Sequence, residues 1–576
     1  MQTNYPRPQL ARENWTSLDG AWDFIFDDRN AGEQERWNEN FPRETREIQV
    51  PFSYETALSG IGETAFHPVV WYEKAVTLSG TGGRTLLHFE GVDYTAKVWV
   101  NGHFAGTHTG AYARFSLDIT AYIQAGENKI TVRAEDSMSC LQPRGKQRWK
   151  AENYGCWYVQ TTGIWKTVWL EEVPELYIEK IKITPDLDNA QALFEVKLNR
   201  KPDGPAWLAC KTHMGEIEVS ACSIRADSEY LSFSVNAAYG ETSGQVAVWS
   251  PWDPKLYDVE LTLSHGTEQD TAVSYFGMRK ISIENGRVLL NNMPLYQRLL
   301  LDQGYWEESH LTPPSEEALV RDIDLALAAG YNGVRKHQKT EDERFLYWCD
   351  RKGLLVWCEM PSTYTFHDDA MEQFTRQWLE IVRQNYSHPC IVTWTAFNES
   401  WGIERIYTDL RQQKFTEGIY HLTKAVDPMR PVIVNDGWEH TVSDILTLHD
   451  YEELGAVLAE RYRDKESVTD CRIPFNLHKY AMARGYSYQG QPIFISEYGG
   501  IAFQTESGWG YGNQVGGEED FLERFRYSTA AIKALPYVVG FCYTQITDVQ
   551  QEVNGLYTAK REPKVSIEEL RKINLE

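Results

Sequence analysis

Two glutamates at the ends of two apolar runs are the residues from which chemistry can be read. Cys390-Ile-Val-Thr-Trp-Thr-Ala-Phe-Asn-Glu399-Ser-Trp401 is a β-branched run that stops abruptly at Asn398-Glu399, with Ser387-His388-Pro389 before it and Gly402 after it. It reads as a short buried strand whose last residues leave the sheet. Pro492-Ile-Phe-Ile-Ser-Glu497-Tyr-Gly-Gly500 repeats the layout. A carboxylate at the end of a buried strand is costly unless paired or used. Two of them together suit cleavage of a glycosidic bond: one protonates the leaving oxygen, and the other attacks the anomeric carbon or activates water.

The elements needed to hold such a pair follow from the pattern after Phe276-Gly-Met-Arg279, where strand-like runs alternate with helix-period segments. Strands are expected at 295–301, 332–335, 354–359, 391–398, 432–435, 445–449, 493–497 and 538–545. One intervening helix starts at Ser315 as N-cap, carries Leu319, Ile323 and Leu327 on one face, and stops at Gly330; another carries Met371, Phe374, Trp378, Ile381 and Val382. Eight strands alternating with helices predict a (β/α)8 TIM barrel, in which reactive residues sit at the carboxyl ends of strands. Glu399 closes the fourth expected strand and Glu497 the seventh, so the chemical and architectural readings converge.

Upstream, residues 1–173 read as all-β. Runs such as Ala21–Phe26, Val70–Val76, Thr85–Glu90, Ala96–Val100 and Lys129–Arg133 are punctuated by Gly, Pro, Asn and Asp, and Asn101-Gly102 signals a tight hairpin. A jelly-roll sandwich is expected, with Thr161–Leu170 as its last strand. Residues 174–278 hold about seven further short strands, as in an immunoglobulin-like β-sandwich, and residues 279–576 form the barrel. A chain of 576 residues suits three or four domains at roughly 100–200 residues each.

Composition bounds the partners. The net charge of −25 excludes nucleic acid and an anionic membrane surface. Twenty Trp and a 13% aromatic fraction suit stacking on sugars and suit a large core equally. Nine scattered Cys without a C-x-x-C pair read as reduced thiols; with neither signal peptide nor spanning segment in the sequence, the expectation is a cytoplasmic protein. No Gly-rich phosphate loop or metal-ligand spacing appears, so no cofactor and no metal are expected. A homo-oligomer is compatible with the sequence.

Over nearly its whole length the chain resembles glycoside hydrolase family 2, the group of β-galactosidases, β-glucuronidases and β-mannosidases. Trp15-Thr-Ser-Leu-Asp-Gly-Ala-Trp-Asp-Phe24 resembles the family's opening motif, and Phe89–Gly102 with Gly106-Thr-His108 its sugar-binding-domain strands. Thr162-Gly-Ile-Trp165 resembles the end of that domain. His388-Pro389, Trp394 and Asn398-Glu399 match the acid/base signature, and Ser496-Glu497-Tyr498-Gly499 the nucleophile segment.

The resemblance implies a retaining mechanism. Glu497 attacks the anomeric carbon, while Glu399 protonates the departing oxygen and later deprotonates water. The charge on Glu497 is expected to raise the pKa of Glu399 and keep it protonated. Asn398 would bond the 2-hydroxyl, Tyr451 would sit beside the nucleophile and Arg335 beneath it, with a packed ring and a buried ion pair as the alternatives for the last two.

Departures from the family concern the sugar. An Asp that reaches sugar hydroxyls in galactosidases and glucuronidases is here Trp157. The family Arg-x-x-His becomes Arg335-Lys336-His337-Gln338, so His337 is either a substrate contact or a supporting residue. The Asn-x-Lys pair that holds the carboxylate in glucuronidases is absent from Glu552-Val-Asn-Gly555, which disfavours a uronic acid, with Lys336 and Lys339 as candidate carboxylate partners. The eighth-strand Trp platform is missing, and Trp401 or Tyr543 would supply that face. Glu359 lies where some galactosidases have a magnesium ligand, or pairs with Arg335. The expectation is an exo-acting β-galactosidase, with β-glucuronidase or another hexuronidase next, then a β-glucosidase or β-mannosidase. Outside that class stand a non-catalytic carbohydrate-binding protein and a barrel lyase or isomerase.

Overall fold

A computed structural model describes residues 5–80, 82–239, 244–472, 474–475, 478–504 and 507–576. Its carboxyl-terminal half is an eight-stranded parallel barrel. The strands are β1 (Gln297–Asp302), β2 (Gly333–Lys336), β3 (Leu355–Glu359), β4 (Ile391–Asn398), β5 (Val432–Asp436), β6 (Leu446–His449), β7 (Ile493–Gly499) and β8 (Val538–Thr544). The ladder runs β5-β4-β3-β2-β1-β8-β7-β6, and the ring is nearly closed at β5 and β6. Residues of β4 and β7 are buried on both faces, as parallel strands under a helical layer must be. Each expected strand lies within two residues of its observed ends.

Helices α1 (Glu316–Ala328), α2 (Glu343–Lys352), α3 (Asp368–Gln384), α4 (Leu410–Val426), α5 (Gly455–Tyr462), α6 (Lys465–Thr469), α7 (Glu518–Lys533) and α8 (Ile567–Leu575) follow the strands. Ser315 caps α1 by accepting from the Ala318 amide, and Leu319 and Ile323 are buried against the barrel. Phe374, Trp378, Ile381 and Val382 form the buried face of α3.

The jelly roll packs a four-stranded sheet against a six-stranded one, around Phe24, Tyr72, Phe89, Val98, Val132 and Ile164. Asn101 and Gly102 both adopt positive φ (50° and 79°), as the tight hairpin requires. The expected last strand is divided into Gly163–Ile164 and Val168–Val173, with Trp165 turned into the core. Between jelly roll and barrel, a three-stranded and a four-stranded sheet make the immunoglobulin-like sandwich. All nine cysteines are free, and no helix among the described residues is long and apolar enough to cross a membrane.

His388, part of the acid/base signature, joins the middle domain to the barrel. Buried Asp350 of α2 accepts from His388 Nδ1 (2.6 Å), the Cys390 amide (2.7 Å) and the hydroxyl of Tyr275 (2.8 Å), which belongs to strand Glu268–Phe276 of the sandwich. Burial alone would lower the imidazole pKa; Asp350 and Glu343 reverse this and raise it to about 9. A raised folded-state pKa contributes stability in full below the unfolded value near 6.5 and loses it as pH climbs through 9. In thermal unfolding of the parent, His388 should therefore account for roughly 3 kcal/mol of the stability that disappears across that window. His388→Gln should be less stable at pH 6 and should lose about 3 kcal/mol less than the parent between pH 6.5 and 9; equal slopes for the two proteins would refute the assignment.

Candidate active site

The carboxyl ends of the six strands β2 to β7 deliver charged groups to a common point. At its centre is Arg335, fully buried on β2. Its Nη1 donates to Glu497 Oε1 (2.6 Å) and its Nη2 to Asn398 Oδ1 (2.6 Å). Glu359 Oε2 lies 2.7 Å from Nη2 and Asp436 Oδ2 2.6 Å from Nε. Three carboxylates share one guanidinium, and their attraction outweighs the burial that would otherwise lower its pKa.

Glu399 leaves β4 through a turn in the left-handed region, with φ of 50° at Glu399 and 63° at Ser400. Such geometry in non-glycine residues costs on the order of 1–3 kcal/mol each and persists only where neighbours enforce it. Here the Glu399 amide donates to Asp436 O (2.9 Å), the Ser400 amide to Asn435 Oδ1 (2.9 Å) and the Ser400 hydroxyl to Glu439 Oε2 (2.9 Å). The turn ends at Gly402, where a Cβ would lie 2.3 Å from Thr363 Oγ1. It swings the Glu399 carboxylate off the strand axis toward Glu497.

The two carboxylates and His449 place one donor atom each within 4.8 Å of one another. Retaining chemistry needs carboxyl groups about 5–5.5 Å apart, and inverting chemistry more. His449 Nδ1 is 2.9 Å from Glu399 Oε1 and 3.3 Å from Glu497 Oε2, while Nε2 is 3.5 Å from Asp436 Oδ2. Burial would push this imidazole down, but Glu497 and Asp436 raise it to about 10. An imidazolium has no lone pair to offer a metal, although the spacing of the three groups would suit one. Burial would likewise raise the Glu497 carboxyl, and His449 and Arg335 outweigh it and hold it below the ordinary range. The Tyr451 hydroxyl donates to Glu497 Oε2 and lies 3.0 Å from Thr544 Oγ1, its ring stacked on Tyr511.

One wall comes from the jelly roll. The Arg144 amide donates to Ser362 O (3.0 Å), Tyr364 OH to Gly145 O (2.6 Å), Gln551 Nε2 to Trp157 O (3.0 Å) and Tyr158 OH to Glu552. This docking carries Lys146, Cys156 and Trp157 to the barrel mouth. The Lys146 side chain is 7% exposed and makes no salt bridge among the described residues, and its Nζ lies 4.7 Å from the Trp401 ring centroid. Burial would lower its pKa, and Cys156, Glu552 and Glu497 raise it instead.

The expected site residues divide accordingly. Glu399, Glu497, Asn398, Tyr451 and Arg335 converge. Asn398 Nδ2 is buried without a partner among the described residues and is free to meet a sugar hydroxyl. His337 Nδ1 is 3.0 Å from Glu359 Oε1, and its ring is 6.2 Å from Trp401. Burial, reinforced by Lys146 and Arg335, lowers its pKa and keeps it neutral. Trp157 and Trp401 lie 5.8 Å apart with Tyr364 between 5.5 and 5.6 Å from both.

Three expectations fail geometrically. Tyr543 cannot face a sugar in the cavity: it is fully buried among Tyr498 of β7 and Phe525 of α7, in the layer outside the barrel, because alternate residues of a strand point to opposite faces. Lys336 is committed to Asp302 and Glu341, and Lys339 to Glu341 and two carbonyls, so neither is available to a substrate. The dyad is also not a simple pair, since a cation stands between its members. His449 was legible in principle, two residues before Tyr451 at a strand end. Lys146 was not, because nothing in its local sequence ties it to the barrel.

Profiles described as glycosyl hydrolases family 2 match in three pieces: the sugar binding domain at 15–174, the middle domain at 176–279 and the TIM barrel domain at 281–575. Among curated relatives, a putative beta-glucuronidase of Formosa agariphila is 26% identical over 64% of this chain and 45% of its own length. A beta-glucuronidase of Paenibacillus borealis is 23% identical over 98% of both chains. A beta-galactosidase of Leuconostoc mesenteroides is 24% identical over 88% of this chain, which spans about half (49%) of that relative. A solved beta-glucuronidase from an uncultured Clostridium superposes with a TM-score of 0.78 over 98% of both chains at 19% identity.

Arg335→Met would leave three buried carboxylates without their shared counter-ion. It should cost about 3–5 kcal/mol or more, read as a lowered urea midpoint. A midpoint equal to the parent's would mean the acids neutralise by taking up protons.

Proposed function

The chain belongs to glycoside hydrolase family 2 and is a glycosyl hydrolase, and from that premise we propose that it removes terminal sugars as a retaining β-glycosidase whose glycone carries a carboxylate. Glu497, ionised and oriented by Arg335 and Tyr451, attacks the anomeric carbon. Glu399 protonates the leaving oxygen, and the glycosyl-enzyme ester then breaks down when Glu399 takes a proton from water. Asn398 Nδ2 meets the 2-hydroxyl, a contact that strengthens as positive charge develops at the anomeric carbon. The wall of residues 144–158 across the barrel mouth favours a chain end over an internal linkage.

Lys146 carries the choice of sugar. A buried ammonium without a salt bridge is expensive to maintain, and a substrate carboxylate would complete it. The relatives named as beta-glucuronidases support the same reading. A neutral β-galactoside is the second reading, favoured by Glu552: a buried carboxylate stands where glucuronidases have Asn-x-Lys, and it accepts from Asn554 and Tyr158.

Aryl β-glucuronide, β-galacturonide, β-galactoside, β-glucoside and β-mannoside assayed side by side test this. The uronides should lead, with Glu497→Gln and Glu399→Gln each losing several orders of magnitude in kcat. Lys146→Met should lose about 100-fold in kcat/KM on the uronide and less than tenfold on the galactoside. Preference for the galactoside by the parent enzyme would replace the first reading with the second.

A further inference from the structure

His449 occupies a position that the double-displacement scheme leaves without a role. Its ring is completely buried and fixed on several sides. Its amide donates to Gly437 O (3.2 Å), and Trp438 packs edge-on at 5.6 Å. A Cβ at Gly437 would lie 2.7 Å from Nδ1, so the glycine's φ of 103° and bare Cα let the backbone close over the imidazole. The ring therefore cannot swing to choose between partners. A single nitrogen faces both carboxylates, 2.9 Å from Glu399 and 3.3 Å from Glu497.

We propose that His449 is a stationary counter-ion whose one N–H follows the negative charge as it passes from Glu497 to Glu399 and back, making it a positioning residue for both half-reactions. This rests on the assignment of those two glutamates as nucleophile and acid/base.

When the Glu497 oxygen bonds to the anomeric carbon, the bond from that carbon to the leaving oxygen breaks. Its electron pair goes to that oxygen, which takes the proton of Glu399. Charge has then moved from Glu497 to Glu399. In the second half, water gives a proton to Glu399 and its oxygen bonds to the anomeric carbon, while the ester bond breaks with its pair returning to Glu497. Through both halves the imidazolium keeps its proton and shifts only the balance of its two hydrogen bonds. A preorganised charge of this kind stabilises both carboxylate states with little reorganisation.

The other charged and titratable groups around His449 frame this balance. Asp436 of β5 lies behind Nε2, Arg335 and His337 come from β2, and His440 follows β5. Asp436 and Arg335 are paired with each other, and Arg335 also holds Glu497 Oε1 (2.6 Å), so Nδ1 of His449 faces the other oxygen of Glu497, Oε2, together with Glu399 Oε1.

The test combines spectroscopy with kinetics. Nitrogen-15 NMR of the parent enzyme should show His449 as imidazolium from pH 5 to 8; a neutral ring at pH 7 overturns the proposal without any variant having to fold. In His449→Gln, checked for the parent's circular dichroism, loss of the cation should move both limbs of the kcat/KM–pH profile to higher pH by a unit or more. Reactivation of enzyme trapped with a 2-fluoro glycoside should also slow at least tenfold. A lower rate with both limbs unmoved would mean a merely structural histidine and overturn it. Glu497→Gln is run in parallel: turnover retained there sinks the glutamate assignment itself. Turnover lost there, with unmoved limbs in His449→Gln, sinks only the counter-ion.

Discussion

Everything at the mouth of the barrel depends on one guanidinium. Arg335 reaches Glu359, Asp436, Glu497 and Asn398 from the end of β2, and each of those groups belongs to a different strand or orients a residue that does. Removing three carboxylates from water would be prohibitive without a cation in contact with all of them. A planar, permanently charged side chain with several donors in fixed directions is the one that can serve three acids and an amide at once. The same guanidinium that makes the acids tolerable holds Glu497 Oε1 and takes up Asn398 Oδ1, leaving Asn398 Nδ2 without a partner among the described residues.

From that constraint the charge pattern follows. Arg335 neutralises part of the acid, and His449 supplies a second cation on the opposite side of Glu497. Both lower the affinity of Glu497 for protons, which keeps it ionised. The jelly roll then adds a third buried cation, Lys146, which makes no salt bridge among the described residues. The first two cations belong to the barrel and flank Glu497. The third belongs to another domain, whose docking brings it to the barrel mouth beside Trp401. The middle sandwich contributes Tyr275, which donates to Asp350 of α2, and Asp350 in turn holds His388 of the segment that leads into β4.

The barrel and the two glutamates that meet at its mouth were readable because their signals are local. A buried parallel strand is a continuous apolar run, and a carboxylate at its end breaks the run visibly. Asn398, Tyr451 and Arg335 followed from family motifs and converge in space. Tyr543 misled because a strand's two faces cannot be told apart when both are buried: one residue of register decides whether a ring faces the cavity or the helices. Lys336 and Lys339 misled because a lysine beside a strand end shows nothing of its partners, and Asp302 and Glu341 take them up.

Taken alone, the order of residues determined three architectures, the strand count of the barrel and two acids at matching strand ends, since periodicity and turn chemistry act over a few neighbours. Only the tertiary structure decided which charges meet. His449 between the acids, the four acceptors on Arg335 and Lys146 delivered from the first domain all involve partners far apart along the chain. Electrostatic energy depends on distances through space, and no local pattern encodes them.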